Sequence, residues 1–112
     1  MEITTREYIV RIRIIQISGR LEALTVHSLR EEQEKHLEAG ETHFIVDLSK
    51  LTFMDSSGMA ALVSLLKRAR QASGDVVLVK PQEPAAYRVL SLTRFDQVFK
   101  ITENVDDAIK QF

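Results

Sequence analysis

The feature that most constrains the fold is the alternation of short apolar stretches with longer amphipathic ones along the chain. Within residues 8–17, Arg11 and Arg13 alternate with Ile12 and Ile14, while residues 43–48 and 76–79 are mostly apolar and rich in β-branched side chains. Both patterns predict strands, the second kind covered on both faces. Strands that alternate with helices form βαβ units. We therefore expect an α/β fold with a mostly parallel or mixed central sheet of about four to five strands and about four helices packed on it.

Four segments between or after these stretches have helical spacing. We expect the first helix to be capped by Thr25 and to end at Gly40, and the third to begin at Pro84. The second is the clearest, because its apolar residues recur on one face before Gly74 ends it. These apolar residues are Met59, Leu62, Val63, Leu66 and Ala69. A loop is expected at residues 49–55, a last strand at 98–101 and a closing helix at 105–112.

Composition excludes several classes of function. With 112 residues, we expect a single domain over residues 1–112. The absence of Cys excludes disulfides, thiolate metal sites and a Cys nucleophile. The formal net charge of -1 gives no bulk attraction to nucleic acid. No apolar stretch approaches the ~18 residues that span a bilayer, and no secretory signal is present. We expect a cytoplasmic protein, not inserted in a membrane, that binds another protein.

No motif for catalysis or cofactor binding occurs. His27, His36 and His43 lack the spacing that places metal ligands on one helix face. Neither a phosphate-binding glycine loop nor the GxSxG motif of hydrolases is present. We therefore expect no enzyme, no metal and no cofactor.

The segment with the strongest functional signal is FMDSSGM at residues 53–59, where a buried strand leads into the second helix. One polar side chain is enough to cap a helix, yet Asp55, Ser56 and Ser57 occur in succession. A helix N-terminus also favours anions, so a phosphate on one hydroxyl would be tolerated there. The residues alone leave two alternatives open, an ordinary helix cap and a functional site.

Residues 44–79 resemble the signature of the STAS domain family, specifically its small free-standing anti-anti-sigma factors. The matching pieces are Val46-Asp47-Leu48, Met54-Asp55-Ser56-Ser57-Gly58 and Gly74-Asp75-Val76-Val77. The segments at residues 18–22 and 90–95 resemble the family's early turn and its late helix-to-strand segment, so the resemblance covers most of the chain.

The resemblance implies a phosphorylation switch in bacterial transcription regulation. Ser56 would be phosphorylated by a partner that is both a serine kinase and an anti-sigma factor. The unmodified chain would bind that partner and release the sigma factor, and a PP2C-type phosphatase would restore the unmodified form. The chain would thus be an anti-sigma factor antagonist.

A partner-binding surface is expected around Ser56, because strand-to-helix turns of a parallel sheet meet at one edge. Its residues would be Leu21, Glu22, Thr25, Met54, Asp55, Ser57 and Gly58. Asp55 would present Ser56 or cap the helix, Ser57 would take a remaining capping bond or serve as a lesser phosphate acceptor, and Gly58 would let a partner approach the backbone. Glu22 stands where the family often has Asp, which is one methylene shorter.

The alternative is a structural role. STAS-like domains also serve as fixed subunits of stress-signalling complexes or lipid ABC transport systems. In that case Asp55, Ser56 and Ser57 would only cap the helix.

Overall fold

The computed structural model describes residues 1–112, in which strands and helices alternate from Arg13 onward. The strands are β1 (Arg13–Leu21), β2 (His43–Met54), β3 (Asp75–Val79) and β4 (Lys100–Thr102). The helices are α1 (Val26–Glu38), α2 (Ser56–Gln71), α3 (Pro84–Leu92) and α4 (Val105–Ile109), with a single 3-10 turn at Phe95–Gln97. The four strands form one sheet in the order β1-β2-β3-β4, and every neighbouring pair is parallel. The predicted α/β class is therefore confirmed.

The two faces of the sheet are covered unequally. Phe44, Val46 and Leu78 point to the face covered by α1, α2 and α3, where 19 buried residues form the main core. Ile45 and Val77 point to the opposite face, where α4 contributes Ala108 to a cluster of 4 buried residues. Successive strand residues point to opposite faces, so residues 44–46 of β2 and 76–79 of β3, which are covered on both sides, are all apolar, as the sequence predicted.

The first two strands differ from their predicted bounds. β1 begins at Arg13 and runs on to Leu21, while residues 49–54, predicted as a loop, form the second half of β2. Gly19 has a φ of +81°, and register shifts on either side of it keep the two strands paired. The second half of β2 pairs with β1 only, and Lys50 and Thr52 lie exposed on either side of the buried Leu51. Their polarity led to the wrong prediction of a loop.

Helices α1 and α2 end close to the expected glycines, Gly40 and Gly74, but only Gly40 adopts the left-handed conformation. Gly40, with a φ of +84°, follows α1 and adopts the left-handed conformation that glycine favours. After α2 this conformation is taken by Ser73, with a φ of +64°, and Gly74 is required for a different reason. A Cβ on Gly74 would lie 1.8 Å from the carbonyl oxygen of Thr42. None of the helices combines the length and apolar character needed to cross a bilayer.

A polar cluster ties the start of β1 to the end of α1. Arg13 Nε donates to Glu41 Oε1 at 2.7 Å, and His36 Nδ1 lies 2.6 Å from Glu41 Oε2. The other ring nitrogen of His36 lies 3.1 Å from a carboxylate oxygen of Glu32. The hydrogen bond from Arg13, which outweighs partial desolvation, and the contact with His36 hold the pKa of Glu41 below its ordinary value. Glu41 thus links Arg13 at the start of β1 to His36 near the end of α1.

Candidate functional site

Two strand-to-helix turns meet at the carboxyl ends of β1 and β2. Leu21 and Met54 are paired at the ends of these strands. Asp55 joins the two turns, because its backbone N–H donates to the carbonyl of Leu21 at 3.2 Å. Its carboxylate Oδ2 also accepts from the backbone N–H of Ala23 at 3.2 Å. The expectation that parallel strands bring these two turns to one edge is confirmed.

Asp55 also caps α2. Its Oδ1 accepts from the backbone N–H of Ser57 at 2.9 Å and of Gly58 at 3.2 Å. These are first-turn donors that have no partner within the helix. The expectation that Ser57 takes a remaining capping bond is wrong, because Ser57 lies inside the helix and Asp55 accepts both bonds.

Ser56 is the first residue of α2 and is exposed. Its hydroxyl makes no hydrogen bond within the chain. The side-chain oxygen that caps α2 belongs to Asp55. Ser57, the next residue, is half-buried. Of the two serines, Ser56 is therefore the more accessible to solvent and to another protein.

Three of the residues expected to contact a partner lie beneath the site. Leu21 and Met54 are each only 2% exposed. Gly58 is buried against them, and a Cβ at this position would lie 2.7 Å from Leu21 Cγ and 3.0 Å from Met54 Cγ. The missing side chain of Gly58 therefore allows α2 to pack on its own sheet. These three residues support the site, and the expectation that they offer contacts to a partner is corrected accordingly.

The turn between β1 and α1 is held by its own polar residues. Thr25 Oγ1 donates to the carbonyl of Arg20 at 2.9 Å and accepts from the backbone N–H of Glu22 at 3.0 Å. The expected side-chain cap of α1 by Thr25 is absent because the hydroxyl is used in this turn. The Glu22 carboxylate pairs with Arg20 at 3.3 Å, and the Arg20 guanidinium lies 4.3 Å from the centre of the Phe53 ring. Glu22 thus lies beside the site with its charge partly balanced.

Two apolar features beside Ser56 were missed in the sequence. Leu24, in the turn that Asp55 holds through Ala23, is 82% exposed. An open groove of about 510 Å³ begins at Ser56 and runs between α2 and α3. Its apolar lining is Met59, Ala60, Val63, Val89 and Phe95. The exposure of Leu24 could have been predicted from its position as an apolar residue in a turn. The groove could not, because it depends on how α2 and α3 pack against each other.

The dual role of Asp55 gives a first prediction. We expect Asp55→Ala to lower the free energy of unfolding by about 1–2 kcal/mol, because three backbone N–H groups lose their acceptor. Asp55→Asn should have a smaller effect, since its amide oxygen still accepts from the helix. Urea denaturation of both variants measures the difference. Equal losses in the two variants would contradict this account of the cap.

Comparison with known proteins agrees with this geometry. The anti-sigma F factor antagonist of Paenibacillus polymyxa is 25% identical over 101 residues, which cover 89% of this chain and 86% of that protein. The crystal structure of TM1081 from Thermotoga maritima superimposes with a TM-score of 0.82 at 26% identity, covering 94% of this chain and 92% of that one.

The Bacillus cell fate determinant SpoIIAA in its phosphorylated form shares the fold, with a TM-score of 0.69 at 23% identity and coverage of 98% and 95%. The sequence profile described as the STAS domain matches residues 2–108 of this chain. This match, which includes both turns that Asp55 joins, shows that the chain belongs to the STAS domain family.

Proposed function

We propose that the chain is an anti-sigma factor antagonist whose binding to an anti-sigma factor is controlled by phosphorylation of Ser56. The observation that carries the proposal is the exposed Ser56 hydroxyl, which lies at the start of α2 and takes no part in its capping. The relative from Paenibacillus polymyxa, itself an anti-sigma F factor antagonist, supports the same class of function.

The fold is suited to carry a phosphate at this position. Asp55 satisfies the N–H groups of Ser57 and Gly58, so the helix cap does not depend on Ser56. The positive end of the helix dipole offsets part of the added negative charge, by about 0.3–1 kcal/mol at an exposed terminus. SpoIIAA, which shares this fold, has a structure in a phosphorylated form. Phosphorylation is therefore expected to leave the scaffold folded.

The same phosphate opposes binding. It adds about -1.5 to -2 charges and three strong acceptor oxygens, next to Asp55 and near Glu22. A partner surface that fits a neutral hydroxyl would have to desolvate this dianion, which costs several kcal/mol without a matching cation. The charge of one side chain would thus separate the two proteins.

The proposed docking surface has an apolar part on each side of Ser56. Leu24 projects from the turn tethered to Asp55, and the groove between α2 and α3 starts at Ser56 itself. Glu22 and Thr25 remain at the rim of this surface, whereas Leu21, Met54 and Gly58 act from beneath it. We propose that an anti-sigma factor covers Leu24, Ser56 and the groove together.

The remaining partners follow from this scheme. The anti-sigma factor would act as the serine kinase, with Ser56 as its substrate, and a PP2C-type phosphatase would remove the phosphate. The chain itself would perform no catalysis and hold no cofactor or metal. We place the exchange in the cytoplasm, where sigma factors act, with no direct contact to nucleic acid and no membrane insertion.

The experiment that tests the site is phosphorylation by the cognate anti-sigma factor kinase with ATP, followed by mass spectrometry. We expect one phosphate on the wild-type chain and on Ser57→Ala, and none on Ser56→Ala. Ser57 is the matched control because it is the same residue type, one position along, and half-buried. Phosphate on Ser56→Ala at the wild-type extent would rule out the assignment.

A further inference from the structure

The outer edge of β1 is unpaired. The sheet order leaves β1 at one side, where its outward N–H and C=O groups have no neighbouring strand. The strand has 9 residues and carries no charged side chain between Arg13 and Arg20. Natural proteins usually protect such an edge with charges, prolines or a covering segment, because it can pair with another chain. This edge lacks such protection along its middle.

The segment before β1 extends away from the sheet and its helices. Residues 1–11 are all exposed and belong to no helix or strand. Residues 8–11 line one open depression together with residues 40–43, just before the first β1–β2 pair, Arg13 with Phe44. The radius of gyration is 15.2 Å, against about 13 Å expected for a compact chain of this length. The segment is therefore an extended arm.

The arm has the composition of a strand. Ile3, Tyr8, Ile9 and Val10 are all exposed, with Ile9 at 83%. Aromatic and β-branched residues of this kind are enriched in strands. On β1 itself, Ile14 is 45% exposed because α4 packs on β2, β3 and β4 and leaves this part of the sheet uncovered. The arm and the β1 edge thus both expose apolar surface.

The arm is poorly suited to fold back on its own strand. A hairpin needs a tight turn, which usually contains Gly, Asn, Asp, Ser or Pro. None of these residues occurs in residues 1–17. The four positions where the chain would have to reverse, residues 9–12, read Ile-Val-Arg-Ile, and three of them are β-branched. A second copy of the chain can pair with the arm without any turn.

We propose that residues 3–10 form an antiparallel strand on the β1 edge of a second copy, and that the second copy does the same in return. In this arrangement a two-fold axis relates the two copies and passes beside Ile12 of each. Ile9 then lies opposite Ile15 of the other copy, and Val10 lies opposite Ile14. Opposite residues in an antiparallel pair share a face, so Val10 covers the exposed Ile14. The two four-stranded sheets join into one continuous sheet.

The register is compatible with the charges at its centre. It sets Arg11 opposite Arg13 of the other copy, and like charges directly opposite would repel. Arg13, however, is already paired with Glu41 at 2.7 Å, and the pKa of Glu41 is lowered mainly by that bond. Each pair of arginines therefore lies beside a carboxylate that remains ionised at neutral pH.

The first test is the mass of the full chain in solution by sedimentation equilibrium. We expect a species of twice 12.8 kDa for the wild type and for Ile9→Val. Ile9→Pro removes a backbone donor and should weaken dimerisation by at least about tenfold. It should leave the fold intact, because Ile9 is exposed and lies outside every helix and strand; circular dichroism checks this.

The second test is disulfide crosslinking, which is clean because the chain has no cysteine. Ile12→Cys should form a linked dimer on oxidation, since two residues directly opposite each other at the axis have Cα atoms about 4.5–5.5 Å apart, within the range that a disulfide spans. Ser91→Cys, an exposed position on α3, is the control and should remain largely unlinked. A monomeric wild type at sub-millimolar concentration would overturn the proposal, as would a dimer that Ile9→Pro leaves unchanged.

Discussion

Gly74→Ala is expected to lower the free energy of unfolding by more than about 4 kcal/mol, the largest effect among the four Gly→Ala changes in this chain. The new Cβ would lie 1.8 Å from the carbonyl oxygen and 2.5 Å from the carbonyl carbon of Thr42. Both atoms belong to the backbone, so no side-chain rotation relieves the overlap. Asp75 donates its N–H to the same Thr42 carbonyl at 3.1 Å, and that bond would be strained or lost as the two segments move apart.

Urea denaturation followed by circular dichroism measures this effect. Gly40→Ala is the matched control, because its Cβ would meet nothing within 4 Å and only its φ of +84° is unfavourable. Such a left-handed conformation costs a non-glycine residue about 1–2 kcal/mol. We therefore expect Gly74→Ala to be the more destabilised variant by a wide margin. A Gly74→Ala protein as stable as Gly40→Ala would contradict the close approach of the two segments.

Phosphorylation of Ser56 is expected to weaken binding of the anti-sigma factor by at least about 100-fold, equivalent to ~2.7 kcal/mol. The same modification should change the free energy of unfolding by less than about 1 kcal/mol, because the phosphate lies at an exposed helix N-terminus whose cap is provided by Asp55. A large change in binding affinity with a small change in the free energy of unfolding is expected of a switch that acts on an interface.

Isothermal titration calorimetry of the two forms against the anti-sigma factor measures the affinity, and urea denaturation measures stability. Ser56→Ala should keep wild-type affinity, while Ser56→Asp, with one charge and fewer acceptor oxygens, should fall between the two forms. Leu24→Ala should weaken binding without any phosphate, because the side chain is exposed in the proposed docking surface. Equal affinity of the two forms would exclude the switch and favour a structural role for Asp55, Ser56 and Ser57.

The second half of β2 illustrates where sequence patterns fell short. Residues 49–54 were predicted as a loop because Ser49, Lys50 and Thr52 are polar. In the folded chain Lys50 and Thr52 are exposed on either side of Leu51, which is buried with Met54 under the helices. The strand pairs on one side only, so its polar residues remain in water. In the sequence the alternation of polar and apolar residues extends only over Lys50-Leu51-Thr52, which is too short to predict a strand.

Gly58 illustrates the same limit at the site. The sequence identifies a glycine beside Ser56, and a glycine can serve an incoming partner or the packing of its own helix. Neighbouring residues in the chain do not distinguish these roles. The answer depends on Leu21, which lies 37 positions earlier and occupies the space that a Cβ would need.

The sequence by itself determined the α/β class, the start of α3 at Pro84, the end of α2 before Gly74, and the start of α2 within the segment Asp55-Ser56-Ser57. These features depend on periodicity and capping, which act over about four neighbouring residues. Only the tertiary structure decided that Ser56 faces solvent, that Leu21, Met54 and Gly58 lie beneath it, and that Leu24 is exposed. Burial is set by contacts between distant segments, such as the bond from Ala23 to Asp55, and local patterns carry little information about such contacts.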